Sequence, residues 1–263
     1  MSKIELDKYY TPKDLAEYCV NKTKEIIGEE NISEWLEPSA GRGNFLDYLD
    51  GNYLAYDIAP EDDRIVEHDY LTLDLKYKKG RCIIGNPPFG NRNNLIKKFY
   101  NKSIKIGDYV AFILPIKMFD NTASLYKFDL VYSEDLNLRE YSGVKLHCCF
   151  NIYKRPQNGL NKKLNTKLKD IEIISCDPRQ TINYDDIDNY DIRICGWGAK
   201  AGQILVEDKK YCDEYKIIIH NVDLKDKILK SLSSGIPIKN ISTPRINKHH
   251  IVKYLKEQIP EIQ

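Results

Sequence analysis

Apolar positions along the chain come in two spacings. Leu15, Cys19, Val20, Ile26 and Ile27 recur at helical intervals, with Thr11-Pro12 before them and Gly28 after. That spacing predicts a helix with Thr11 as N-cap, Pro12 in the first helical position and Gly28 as the stop. From Trp35 onward, apolar residues gather in short continuous runs that end in polar or glycine-containing turns. These runs predict strands at 35–36, 53–57, 64–67, 81–85, 109–115, 128–132 and 147–153. Helical patterning intervenes at 44–49 and near 95–103. Beyond residue 170 the runs are shorter, at 171–174, 191–194 and 216–219, with a helix predicted over 246–259.

Strands alternating with helices argue for an α/β fold built on a doubly wound, mainly parallel sheet. Ligands of such sheets bind beyond the carboxyl ends of the strands. Residues 41–43, Asp57, Asp69 and residues 86–89 follow the first four strands in turn, so they are expected to converge on one rim. After Tyr153 the composition changes. Lys154, Arg155, Lys162, Lys163, Lys167 and Lys169 occur without an acid among them, interspersed with Pro156, Asn158, Gly159 and Asn161. That stretch reads as a loop. The predicted organisation is a core over 1–155, a basic loop over 156–170 and a small C-terminal region over 171–263, with no internal repeat.

The chain has 263 residues, enough for one large α/β domain with a small appendage. Its net charge of +1 excludes a global basic field, so contact with nucleic acid would need a local patch. The seven cysteines show no paired metal-ligand spacing, which predicts reduced intracellular thiols. The five histidines form neither HxxxH nor HExxH, so no metal site is expected. There is no long apolar stretch, and Met1 to Glu5 lack the apolar segment of a signal peptide. A cytoplasmic protein without a membrane partner is expected.

The sharpest chemical signal is Asn86-Pro87-Pro88-Phe89, directly after the run at 82–85. Two prolines fix φ and remove backbone donors, so the chain must leave the sheet extended and rigid. That holds the Asn86 amide and the carbonyl before Pro88 at the sheet edge, with the Phe89 ring beside them. A planar ring carrying an NH2 group fits such a clamp. Gly41-Arg42-Gly43 offers a tight turn that lets a ligand touch backbone. Leu46 stands where a dinucleotide fold has its third glycine, and no Gly-Lys-Ser/Thr follows. Asp57 ends the second strand, the position from which an acid binds ribose hydroxyls in nucleoside-binding α/β folds. Asp69 could accept from an adenine amino group with Tyr70 against the ring. Standing alone, the glycine turn and the two acids would be ordinary loop features.

Together these residues resemble the S-adenosylmethionine-dependent amino methyltransferases. In their order, with the Thr-Pro helix first, they resemble the N6-adenine DNA methyltransferases, of restriction-modification or orphan type. The resemblance covers about residues 8 to 155. It implies a Rossmann-like doubly wound seven-stranded mixed sheet of the class I methyltransferase type, with a small C-terminal extension. It assigns Tyr10, Thr11 and Pro12 to the methionine part of the cofactor, and Glu37, Ser39, Ala40, Gly41 and Gly43 to the cofactor loop. Asp57 with Ile58 falls to the ribose, and Asp69 with Tyr70 to the adenine edge. Asn86, Pro87, Pro88 and Phe89 match the catalytic tetrapeptide, with Asn86 also near the cofactor. Phe150 and Tyr153 match the last strand, whose aromatic end packs near the target base. They alternate across that strand, so at most one is expected to line the pocket.

An adenine amino nitrogen is a poor nucleophile because its lone pair is delocalised into the ring. The Asn86 side-chain oxygen and the Pro87 carbonyl, as acceptors on its two hydrogens, would favour a pyramidal nitrogen with a localised lone pair. Phe89 would stack on the base, extruded from a duplex at a cost of a few kcal/mol. Residues 154–169, with Lys154, Arg155, Lys162 and Lys163, are expected to leave the same rim and contact phosphates, and 121–142 is a second candidate for target contact. DNA is favoured over RNA, and a protein partner could supply target specificity. The same tetrapeptide chemistry also serves RNA methyltransferases and protein glutamine methyltransferases. A non-catalytic subunit is a further alternative, and a NAD-dependent oxidoreductase is disfavoured by the missing glycine.

Overall fold

The computed structural model describes residues 9–176, 188–207, 209, 211, 213–238 and 244–263. The chain divides into two compact units, Met1–Lys163 and Leu164–Gln263. The first unit is organised by one sheet of β1 (Glu34–Glu37), β2 (Tyr53–Asp57), β3 (Val66–Glu67), β4 (Arg81–Gly85), β5 (Tyr109–Pro115), β6 (Asp129–Tyr141) and β7 (Val144–Lys154). The spatial order is β3-β2-β1-β4-β5-β7-β6. The first five strands are parallel, and β7 runs antiparallel between β5 and β6. This is the Rossmann-like, seven-stranded mixed sheet that the resemblance implies.

Side-chain alternation splits the sheet into two buried faces. Cys82, Ile84, Ala111, Ile113 and Phe150 pack on Leu15, Ala16, Cys19 and Val20 of α1 (Lys13–Ile27). Ile83, Val110, Phe112, Cys149 and Tyr153 pack on Ile96, Phe99, Tyr100 and Ile104 of α2 (Asn94–Ile106). Continuous apolar runs such as Cys82-Ile83-Ile84 follow from strands covered on both sides.

Four expectations need correction. Pro12, not Thr11, holds the N-cap position of α1, with extended backbone (φ −55°, ψ 148°) and no side-chain cap. The residue before a proline is pushed out of the helical region, which keeps Thr11 in the incoming strand-like segment. The helix expected over 44–49 is only a single 3₁₀ turn, Leu46–Tyr48. Nine residues separate Gly43 from Tyr53, and after the turn they leave no room for a longer helix. The sixth strand runs far past residue 132, to Tyr141. It pairs with β7 along its length through register shifts between Leu130 and Tyr132 and between Asp135 and Leu138. Such bulges break the period-two pattern, and an edge strand tolerates the charges of Glu134, Asp135 and Glu140.

The fourth correction concerns direction. Lys154 at the end of β7 pairs with Tyr109 at the start of β5, whereas Cys148 pairs with Pro115 at the end of β5. Residues 154–163 therefore leave the sheet at the edge opposite the carboxyl rim. Asn161 fastens them there, donating from its backbone to the Lys127 carbonyl at 2.9 Å and from its side chain to Asp129 at 2.7 Å.

The second unit holds β8 (Ile171–Cys176), β9 (Ile192–Cys195) and β10 (Glu214–Ile219), antiparallel in the order β8-β10-β9. Two helices, α3 (Val222–Ser233) and α4 (Lys248–Gln258), share a core with them through Ile217, Ile228, Leu232, Ile251 and Leu255. The patterning missed α3. It overran the start of α4, where Asn247 and His250 form a reciprocal capping box. Cys19, Cys82, Cys148, Cys149, Cys176 and Cys195 are buried free thiols, while Cys212 lies outside the described residues. Among the described residues no helix is long and apolar enough to cross a membrane.

Candidate active site

The turn after β1 is shaped by two left-handed glycines, Gly41 at φ 54° and Gly43 at φ 70°. A Cβ on Gly41 would come within 2.8 Å of the Tyr10 ring, so this position needs glycine twice over. Asp57 ties the turn to the end of β2. Its two carboxylate oxygens accept the backbone N–H groups of Gly41 and Ala59, each at 2.9 Å. It is buried, unlike the solvated loop acid it would resemble in isolation.

Beyond the carboxyl ends of β1, β2 and β4 lies a cavity of about 260 Å³. Ser39, Ala40 and Gly41 border it from the glycine turn, and Asp57 with Ile58 from the end of β2. Asp69 and Tyr70 border it from the loop after β3, Asn86 and Pro88 from the end of β4, and Tyr10 and Thr11 from the N-terminal segment. Buried Glu37 borders it from the end of β1. Pro12, Gly43, Pro87 and Phe89 stand outside this lining. Gly43 faces Asp62 and Arg64, and half-buried Phe89 packs against both core faces.

Tyr9, Asn44, Phe45, Leu71, Leu95 and Phe99 also line the cavity and were not foreseen. Leu95 and Phe99 stand four residues apart on the apolar stripe of α2, a spacing visible in the sequence. The others arrive through tertiary folding.

Residues 9–11 cross the rim as a strap, and each is held by a side chain from a different loop. Asn86 Nδ2 donates to the Tyr9 carbonyl at 3.0 Å. The Tyr10 N–H donates to Ser142 Oγ at 3.0 Å, and Asn44 Nδ2 donates to the Thr11 carbonyl at 2.7 Å. The Tyr10 hydroxyl bonds to Glu61, and the Arg42 guanidinium lies 4.3 Å from the Tyr10 ring centre while its Nε donates to Glu61 at 3.0 Å. Burial, then the Glu61 contact, pushes the Tyr10 hydroxyl pKa up to about 12, so it stays a donor at neutral pH.

Glu37 is the electrostatic anomaly. It is buried, and its Oε2 has no hydrogen-bond partner among the described residues. Burial pushes its carboxyl well above the usual range, with Asp57 adding to the shift and Arg64 opposing it. A carboxyl desolvated beside a cavity is a waiting partner for a cation. Tyr70 and Phe99, 5.2 Å apart between ring centres, with Leu71, supply an apolar wall suited to a flat ring. Tyr70 spends its hydroxyl on Ser103 at 2.8 Å, which leaves the ring body for packing.

Neither aromatic expected from β7 borders the cavity. Phe150 is fully buried on the α1 face and Tyr153 on the α2 face, where its hydroxyl accepts from Asn151 Nδ2 at 2.9 Å. β7 is an inner strand covered on both sides, so both rings serve the core. Lys154, Arg155, Lys162 and Lys163 lie with the opposite edge. Arg155 is engaged there with Asp108 at 2.9 Å and with the carbonyls of Ile104 and Gly107.

No protein-family model and no curated protein matches the chain. Among solved structures, a provisionally described RNA methyltransferase of Pyrococcus horikoshii is similar at 14% identity over 59% of this chain and 90% of its own, with a TM-score of 0.48. The 23S rRNA methyltransferase ErmE is similar at 13% identity over 59% of this chain and 72% of its own, TM-score 0.42. Magnesium protoporphyrin IX methyltransferase from Synechocystis PCC 6803, solved with S-adenosylmethionine bound, is similar at 10% identity over 55% and 79%, TM-score 0.41. These likenesses are distant, and the site stands on its own geometry.

Proposed function

We propose that the protein transfers a methyl group from S-adenosylmethionine to the N6 amino group of adenine in nucleic acid, with DNA as the preferred substrate. The observation that carries this reading is the Asn86 carboxamide at the carboxyl end of β4. A carbonyl can only accept, so the Tyr9 carbonyl takes the amide nitrogen and leaves Oδ1 as the acceptor. Among the described residues nothing donates to Oδ1. Asn86 also borders the cavity, so that acceptor stands beside the space a cofactor would fill.

The chain's residues suit this cofactor. Glu37 offers a buried carboxyl that would ionise against its cationic end, Asp57 borders the cavity from the end of β2, and Tyr70, Leu71 and Phe99 form a wall for its ring. When bound, the cofactor supplies an electrophilic methyl group on a positively charged sulfur. The protein's part is to hold the acceptor amine. Asn86 Oδ1 and the Pro87 carbonyl take its two hydrogens and draw the lone pair out of the ring. Pro87 and Pro88 restrict the backbone that carries the Pro87 carbonyl, and the Tyr9 carbonyl holds the Asn86 amide. Positive charge moves from sulfur to nitrogen during transfer, so placement counts for more than a strong base. The proton then leaves the product to solvent.

The deciding experiment is transfer of labelled methyl to unmethylated duplex DNA and, in parallel, to total RNA, followed by nucleoside mass spectrometry. N6-methyldeoxyadenosine is the expected product. Label confined to RNA would keep the site chemistry and replace the substrate. Label in neither, with the cofactor still bound, would set the nucleic-acid reading aside.

A further inference from the structure

The turn between β6 and β7 consists of Ser142 and Gly143, both with positive φ, 54° and 84°. Two-residue hairpin turns of this kind favour asparagine, aspartate or glycine at the first position. Serine there costs conformational energy, because its Cβ crowds the left-handed backbone. If this turn only reversed the chain, glycine would serve it better. Ser142 is also exposed, so packing does not account for it.

Its hydroxyl does have an engagement. Ser142 Oγ accepts the Tyr10 N–H at 3.0 Å, joining residues 132 apart in sequence. One residue earlier, the Tyr9 carbonyl accepts Asn86 Nδ2 at 3.0 Å across a separation of 77. The N–H of Tyr10 and the carbonyl of Tyr9 belong to the same peptide unit, which is planar and rigid. Whatever fixes one end of that unit fixes the other. A bond from Ser142 therefore sets the direction of the carbonyl that orients the Asn86 amide. Asn44 holds the Thr11 carbonyl, two residues further along, which limits sliding of the strap.

We propose that Ser142 is a positioning residue for the transfer site: through the Tyr9–Tyr10 peptide it holds the Asn86 carboxamide with its oxygen, not its nitrogen, toward the acceptor amine. The inference rests on the function proposed above. If the amide rotated by half a turn, its NH2 would meet the NH2 of the acceptor, and the acceptor pair with the Pro87 carbonyl would be lost. Ser142 needs no contact with cofactor or substrate for this. It acts by excluding the wrong amide rotamer.

The test uses Ser142→Gly in the full chain, since glycine suits the turn and removes only the hydroxymethyl group. The first readout is the side-chain NH2 signal of Asn86 in a nitrogen-15 spectrum, identified by its loss in Asn86→Ala. In the wild type this signal should be shifted and slow to exchange with solvent. In Ser142→Gly it should move toward the position of a free carboxamide and exchange faster. The second readout is single-turnover methyl transfer at saturating cofactor and nucleic acid. It should fall roughly tenfold, the equivalent of about 1.4 kcal/mol, with melting temperature unchanged or raised. An unchanged Asn86 signal, or a rate loss that disappears once cofactor is saturating, would overturn the proposal. Failure of the wild-type protein to transfer methyl would overturn the underlying function instead, and the amide signal, which needs no turnover, tells the two failures apart.

Discussion

Asn86 and Glu37 each carry a separate consequence. Replacing Asn86 with alanine removes the acceptor and leaves the cavity walls standing. Methyl transfer should fall below detection while cofactor affinity, read by calorimetry, stays within several-fold of wild type. Retained turnover would remove Asn86 from the chemistry. Glu37 makes a prediction about pH. Its folded pKa lies above the ordinary value of 4.5, so the folded protein keeps a proton that the unfolded chain releases. The stability this confers is whole below about pH 4.5 and drains away as pH rises through the higher folded value. Glu37→Gln cannot ionise, so its melting temperature should fall less with rising pH over that window and exceed that of the ligand-free wild type at the upper end. Parallel melting curves for the two proteins would refute the assignment. The motif residues from Glu37 to Phe89 were legible in the sequence because each sits at or just after the end of a strand that could be read. Tyr9 and Asn44 were not, since their contributions are a backbone carbonyl and a long-range amide bond, neither of which leaves a local pattern.

At the level of elements, legibility followed burial. β4 and β5 are central strands, and their continuous apolar runs give their boundaries directly. β6 is an edge strand with bulges, and its second half reads as polar loop because water, not protein, covers one face. The exit of residues 154–163 from the sheet was the costlier miss. An antiparallel last strand looks the same in sequence as a parallel one, yet reversal moves its basic end to the far edge. Arg155 makes that change measurable. Its guanidinium caps the carbonyls at the end of α2, pairs with Asp108, and lies 4.8 Å from the Phe128 ring centre. Arg155→Ala should destabilise the fold by about 1–3 kcal/mol, the cost of stranding partly buried acceptors. A chemical denaturation midpoint equal to wild type would contradict that role.

For the whole molecule, the placement of charge changes how nucleic acid would be held. Lys162 and Lys163 belong with the edge opposite the cavity, so the double variant Lys162→Gln, Lys163→Gln should bind nucleic acid with an unchanged dependence on salt. If each made a phosphate contact, the slope of log affinity against log salt would flatten by roughly one per contact. The near-neutral net charge of +1 supplies no global basic field.

The strap across the rim also bears on when the protein becomes competent. Its anchors join Tyr9 to Asn86 and Tyr10 to Ser142, the latter pair 132 residues apart. Contacts of such separation form late, because the loop they close must be ordered first. A nascent chain that has emerged only through β5 already carries the glycine turn, the three acids and the whole tetrapeptide, yet its amide has no fixed direction. The hairpin of β6 and β7 is the last part of this unit to be synthesised. Its docking would fix the direction of that amide only once the sheet is closed.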